Sequence, residues 1–199
     1  MTQPSLRERS KERRRAAIEQ AALQLFAERG YDATTLAQVA EVAEVAPRTV
    51  SLYFPSKLHL ALSYQTDAGQ RLEAAIIGRT PGTSALSVIT TWLRAEFDEH
   101  GELLDFQAAM LRSNPEIRGA ETPELSEAKR AVTTALAADL GRDDDDVIVG
   151  LVGGAFEGII NVLTQIGRDR AAAASAFEVA TKLLAAVIRA AQTNVERSR

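Results

Sequence analysis

Apolar residues recur at helical spacing along most of the chain. Ile18, Ala21, Ala22, Leu25 and Phe26 form one stripe, which predicts a helix from about Ser10 to Arg29. Gly30 follows where a left-handed C-cap is needed, and residues 1–9 read as a polar tail outside the helix. Leu36, Val39, Ala40 and Ala43 fall at i, i+3, i+4 and i+7, one face of a short second helix that Thr34 and Thr35 can cap. Glu44-Val45-Ala46 makes a tight break. Pro47 then opens a brief third helix, and Pro55 stops it. Ser56 caps a longer helix expected to run unbroken from Lys57 to about Gly78 (Leu58, Leu62, Leu72, Ile76). Further stripes predict helices from Thr83 to His100, Glu102 to Arg112, Pro123 to Leu140, Asp146 to Gly167 and Ala171 to Val195. No stretch alternates with period two, so no sheet is expected. The expected fold is all-α, with about nine helices in two parts: residues 1–56, and residues 57–199.

Two short helices joined by a few residues, the second starting at a sharp turn, describe a helix-turn-helix over about residues 35–54. The stretch Thr34-Thr35, Val39-Ala40, Ala43, Val45, Thr49, Tyr53-Phe54, Pro55, Ser56 and Lys57 resembles the DNA-binding signature of the TetR family of transcriptional regulators. Upstream, Leu25-Phe26-Ala27-Glu28-Arg29-Gly30-Tyr31 resembles it too, and the likeness covers roughly residues 11–63. Beyond that it is architectural. Three positions depart from the family's pattern: Glu44 stands where Gly is usual, Ala46 where Ser or Thr is usual, and Ser51 where Tyr is frequent. The resemblance implies that Pro47, Arg48, Thr49, Ser51, Leu52 and Tyr53 face DNA, with Thr35 and Gln38 beside them. It also implies a phosphate contact for Lys57 at a helix start. The chemistry agrees: Arg forks onto guanine, and Thr meets a base edge or a thymine methyl. The plainer alternative is an ordinary surface helix pair.

Charge sharpens the picture. The whole chain carries −4, which alone argues against a nucleic-acid partner. Yet residues 1–57 hold 9 Lys+Arg against 7 Asp+Glu, a net of +2, and the remainder carries −6. Arg7, Arg9, Lys11, Arg13, Arg14 and Arg15 cluster, and Arg13, Arg14 and Arg15 are candidates for phosphate or minor-groove contacts. A solvated helix start, with Glu8, Glu12 and Glu19 interleaved, is the alternative.

The absence of cysteine excludes disulfides, thiolate metal sites and Cys nucleophiles, and fits a reducing cytoplasm. No basic-then-apolar leader opens the chain, so no secretory signal is expected. The apolar run from Val147 to Leu163 is short for a membrane span and contains Glu157 and several glycines, so it reads as a buried helix. The run Asp143–Asp146 lacks the spacing of a calcium loop and suits a helix N-terminus. His59 and His100 have no companions that suggest a metal, and no strained G-x-S-x-G or phosphate-binding loop occurs. No enzyme, metal or cofactor is expected.

Gly150, Gly154 and Gly158 recur every four residues on one helix, and each costs about 1 kcal/mol against Ala. Close approach of another helix would offset that. The resemblance implies that the last two long helices pair with their copies, giving an interface of Gly150, Gly154, Gly158, Phe177, Leu184 and Ile188. Close packing inside one subunit is the alternative. It also implies that the middle helices enclose a pocket for an unidentified small-molecule effector, with Trp92, Phe97, Phe106, Met110 and Phe156 as candidates. For any one of these, plain core is the simpler reading. Glu157 and Asn161, polar and one turn apart on an apolar helix, are candidates for a cavity wall or a dimer seam. The expectation is a ligand-responsive repressor that binds a near-palindromic operator as a homodimer. An enzyme with an apolar helical pocket, and a helical adaptor whose helix-turn-helix no longer binds DNA, are the rival classes.

Overall fold

The structure, a computed structural model, describes residues 5–99, 101–166 and 170–197; for 101, 102, 170–174 and 194–197 it describes the backbone alone. His100 and Gly167 lie outside the described residues. Ten α-helices and one 3-10 turn appear, and no strand occurs among the described residues.

The first helix, α1 (Leu6–Arg29), starts earlier than the apolar stripe suggested. Ser5 and Glu8 form a capping box. The Ser5 hydroxyl accepts from the Glu8 amide at 3.2 Å, and the Glu8 carboxylate accepts from the Ser5 amide at 2.7 Å. Those bonds hold the Glu8 carboxyl below its usual range. Gly30 ends the helix at φ 90, its amide bonded to the Phe26 carbonyl. Then come α2 (Leu36–Val42) and α3 (Pro47–Tyr53).

The helix expected over Lys57–Gly78 is two helices, α4 (Lys57–Ala61) and α5 (Ser63–Ile77), with a break at Leu62. Ser63 explains it. Its buried hydroxyl has two acceptors for its one proton, the Leu60 carbonyl at 2.9 Å and the Glu19 carboxylate on α1 at 2.6 Å, and the bond to Leu60 competes with the helix ladder. The remainder runs α6 (Ala85–Glu99), α7 (Gly101–Ser113), a 3-10 turn at Pro115–Ile117, α8 (Pro123–Leu140), α9 (Val147–Ile166) and α10 (Arg170–Arg197). Ser84, one residue beyond the expected Thr83, caps α6 by accepting from the Ser87 amide. Asp146 caps α9. It accepts from the Ile148 amide at 2.7 Å and pairs with Arg142 at 2.6 Å, and these bonds hold its carboxyl below the usual range.

Two compact units divide the chain: residues 1–64 with 106–122, and residues 65–105 with 123–199. The sequence reading put a single cut after residue 56. The first unit instead recruits a distant segment, and Asn114 shows why. Its buried amide nitrogen donates to the Phe26 carbonyl at the end of α1, and its oxygen accepts from the Tyr31 amide.

In the second unit, two apolar clusters form the core. The larger gathers Leu72, Ile76, Ile89, Val132, Leu136, Val149, Val152 and Leu184. The smaller is built on Leu93, Leu163 and Ala180. Arg71 grips the buried Glu96 carboxylate through two bonds of 2.6 and 2.7 Å.

Candidate nucleic-acid interface

Sequence dictates which side of α3 faces inward. Val50 and Phe54 are buried, one turn apart. The same spacing turns Pro47, Arg48, Ser51 and Leu52 outward, all exposed, with Thr49 and Tyr53 half-buried at the flanks. Leu52 is 82% exposed. Beside the exposed Arg48 it can meet base edges, Arg by hydrogen bonds and Leu by apolar contact.

The first unit fixes this helix from behind. α2 packs on both α1 and α3, and α4 packs on α1. Arg15 stacks over the Phe54 ring at 5.1 Å and pairs with buried Glu19 at 3.7 Å. Arg15 is thus half-buried, a brace between α1 and the end of α3. Arg13 and Arg14 are exposed beside Arg7, Arg9 and Lys11. Arg14 also reaches back to Ser10, at 3.2 and 3.3 Å.

Thr35 and Gln38 form a reciprocal capping box on α2. The Gln38 side-chain oxygen accepts from the Thr35 amide at 2.8 Å, and the Thr35 hydroxyl accepts from the Gln38 amide at 3.3 Å. Both positions named as contacts therefore also hold the start of α2. Thr34 turns the other way, buried, donating to the Gly30 carbonyl at 2.9 Å.

Lys57 has a seat that sequence reasoning missed. Its ammonium lies 4.3 Å from the centroid of the Tyr31 ring and donates to the Asp32 carbonyl at 3.3 Å. Partial burial, and secondarily the Asp32 charge, push the Tyr31 phenol up. Only the tertiary fold reveals this pair, since the two residues lie on different elements.

The candidate effector residues are divided between the two units. Phe106 and Met110 belong to the first unit, whereas Trp92, Phe97 and Phe156 belong to the second. Trp92 and Phe97 pack in the smaller apolar cluster, with the Trp92 indole donating to the Ala68 carbonyl and Phe97 edge-on to Phe177. Phe156 is buried in the larger one. Glu157 and Asn161 are both exposed, Glu157 pairing with Lys129 at 3.7 Å and Asn161 accepting from Gln165 at 3.1 Å.

The candidate dimer residues also divide. Gly150, Gly154 and Gly158 are exposed, and a Cβ at any of them would meet nothing within 4 Å, so packing inside the subunit does not explain them. Leu184 and Ile188 are buried in the subunit's own core at 4% and 7% exposure, and Phe177 packs on Phe97. Leu184 and Ile188 therefore belong to the subunit's own core rather than to its outer face. The outward apolar positions of α10 are Val179 and Leu183, and those of α9 are Val147, Leu151 and Val162. Helix α9 is long and apolar enough to cross a membrane, but its other side packs into the core through Val149, Val152, Phe156 and Leu163.

Residues 18–64 match the profile of the bacterial regulatory proteins of the tetR family, and residues 102–196 match that of the MftR C-terminal domain. The chain belongs to the TetR family. It is 37% identical over 92 residues to the HTH-type transcriptional regulator TcmR of Streptomyces glaucescens, covering 46% of this chain and 41% of that protein. It is 35% identical over 86 residues to the HTH-type transcriptional repressor KstR of Mycolicibacterium smegmatis, covering 41% and 42%. The chain thus spans about two fifths of the length of these curated relatives. The crystal structure of Thermus thermophilus FadR, a TetR-family repressor in complex with lauroyl-CoA, shares the fold, with TM-score 0.50, 20% identity and coverage of 85% and 92%.

Against the TetR pattern, the departures have visible consequences. Glu44 adopts φ 53 in the turn between α2 and α3. A left-handed non-glycine residue stores about 1–2 kcal/mol, more than the roughly 0.4–1 kcal/mol that glycine loses through its freer unfolded chain. Glu44→Gly is therefore expected to stabilise the first unit by roughly 0.5 kcal/mol, read as a higher urea midpoint with unchanged slope. A lower midpoint would show that the Glu44 side chain contributes more than the strain costs. Ala46 gives α3 no side-chain cap, and Pro47 at the first helical position supplies the start instead.

Proposed function

We propose that the chain is a transcriptional repressor that binds a near-palindromic DNA operator as a homodimer, in the cytoplasm, and is released by a small-molecule effector. The observation that carries the reading is the outward face of α3, with Arg48, Ser51 and Leu52 exposed over buried Val50 and Phe54. Exposed cations on α1 and Lys57 at the start of α4 supply the phosphate contacts. A twofold pair presents α3 twice, matching a palindrome. The repressor named among the relatives supports repression, and the acyl-CoA in the FadR complex supports an effector. The effector acts by its differential affinity for two states of the dimer, and its effect is bounded by that difference.

The test separates readout from anchoring. Arg48→Ala is expected to weaken the operator by about 1–3 kcal/mol and leave random DNA nearly unchanged. Lys57→Ala is expected to weaken both alike and reduce the salt slope by about one. Filter binding against a fragment retained from genomic DNA and a scrambled duplex gives both numbers. Equal effects of Arg48→Ala on the two duplexes would remove Arg48 from base readout. Failure to retain any fragment would favour the adaptor reading.

A further inference from the structure

A cleft of about 500 Å³ opens in the second unit where the loop after α5 meets the end of α8 and one flank of α10. Neither the DNA reading nor the effector candidates use it. Its floor is apolar: Leu86, Leu136, Leu140 and Ile188. Its polar rim carries two arginines, Arg79 and Arg189, against a single carboxylate, Asp139. Asp139 is already spoken for on both oxygens. One accepts from the Ala85 amide at 2.5 Å, and the other faces Arg79 at 3.2 Å. The free helix start of α6 is thereby satisfied and is not an anchor. Arg79 has its second terminal nitrogen, Nη1, buried with no hydrogen-bond partner among the described residues. A guanidinium N–H left unbonded out of water is a costly state. Arg189 is exposed on the facing flank.

The cleft lies off the outward apolar side of α10. Helix α10 has three distinct sides at 3.6 residues per turn. Ala180, Leu184, Ile188 and Ala191 enter the core, Val179 and Leu183 make the outward apolar side, and Ala185, Arg189 and Gln192 line the cleft on the opposite flank. A second copy seated on Val179 and Leu183 leaves Arg189 open.

We propose that this cleft binds a small amphiphilic carboxylate, its carboxylate held by Arg79 and Arg189 and its hydrocarbon part laid over Leu136, Leu140 and Ile188. The volume suits a small organic molecule. The excess of guanidinium over carboxylate selects an anion, and the planar fork of arginine matches a carboxylate's two oxygens. The leucine-rich floor distinguishes such an acid from a bare inorganic anion. The site is independent of DNA binding, so it stands or falls apart from the repressor reading.

The experiment titrates the full-length protein with octanoate, octan-1-ol and inorganic phosphate, followed by calorimetry. Octanoate is expected to bind about tenfold tighter than either of the others. Arg189→Gln is expected to remove about that factor while the ligand-free melting midpoint stays unchanged. Ala185→Phe, which fills the cleft from α10, is expected to abolish octanoate binding in a protein that still melts cooperatively. Three results would overturn the proposal: octan-1-ol binding as tightly as octanoate, phosphate binding as tightly as octanoate, or octanoate affinity unmoved by both substitutions.

Discussion

In the proposed dimer, Leu151→Asp is expected to separate the subunits into folded monomers and to lower affinity for the proposed palindromic operator by about 10²–10⁴-fold. The outward side of α9 carries Val147, Leu151 and Val162 with Gly150, Gly154 and Gly158 between them, and α10 adds Val179 and Leu183 beside it. Leu151 is 63% exposed and Leu183 53% exposed in the isolated chain. Glycines at three successive turns, each costing about 1 kcal/mol in a helix interior, gain nothing from their own subunit. A second copy of the same surface would use them for close backbone approach. Burying Leu151 against it would contribute roughly 1.5–3 kcal/mol per subunit. An aspartate there loses that and adds an uncompensated charge, costing about 3–5 kcal/mol, and the twofold axis doubles both. The subunit itself is spared because Leu151 touches little of it. Sedimentation reads the oligomer, circular dichroism the fold and filter binding the operator. A Leu151→Asp dimer with unchanged affinity would place the interface elsewhere. Leu184→Ala makes the contrast: it opens a core cavity and is expected to cost about 2–5 kcal/mol of subunit stability without specifically separating the pair.

That contrast marks what the sequence made legible. The helix-turn-helix was readable because its signals are local. Pro47, Pro55 and Ser56 act on their own turns, and Val50 and Phe54 face inward by spacing alone. The dimer face was not readable in the same way. Helix α10 is apolar at Phe177, Val179, Ala180, Leu183, Leu184, Val187 and Ile188, about half of its circumference, so periodicity shows that this broad face is buried but not which part of it meets which neighbour. The choice of Leu184 and Ile188 for the interface failed there, while the glycines on α9 pointed to a face the subunit leaves open. The break at Leu62 and the seat of Lys57 on Tyr31 depend on partners far along the chain. So does Arg15 as a brace. Its pairing with Glu19 follows the i, i+4 rule, but its stacking on Phe54 needs the tertiary fold.

Asn114→Ala should bring the second large loss, and it tests whether residues 106–122 belong to the DNA-binding unit. Asn114 is 2% exposed and its side chain makes three hydrogen bonds. It accepts from the Tyr31 amide at 2.5 Å and donates to the Phe26 and Met110 carbonyls at 3.0 and 2.8 Å. Two of the partners survive its removal. The Phe26 carbonyl keeps the Gly30 amide, and the Met110 carbonyl keeps the backbone amide of residue 114. The Tyr31 amide loses its acceptor, and a small polar void opens beside it. One unsatisfied donor, the lost bonds and the void together are expected to cost about 3 kcal/mol, read by urea denaturation. Asn114→Asp should be worse near neutral pH, because it sets a buried negative charge against two carbonyl oxygens. Burial raises the folded-state pKa of such a carboxyl, so the variant gains stability as pH falls and the proton returns. DNA affinity should fall as well, alike on all sequences, because the backbone that Asn114 holds carries the Tyr31 ring on which Lys57 rests. Unchanged stability in Asn114→Ala, or a loss confined to operator DNA, would break this chain from Asn114 through Tyr31 to Lys57.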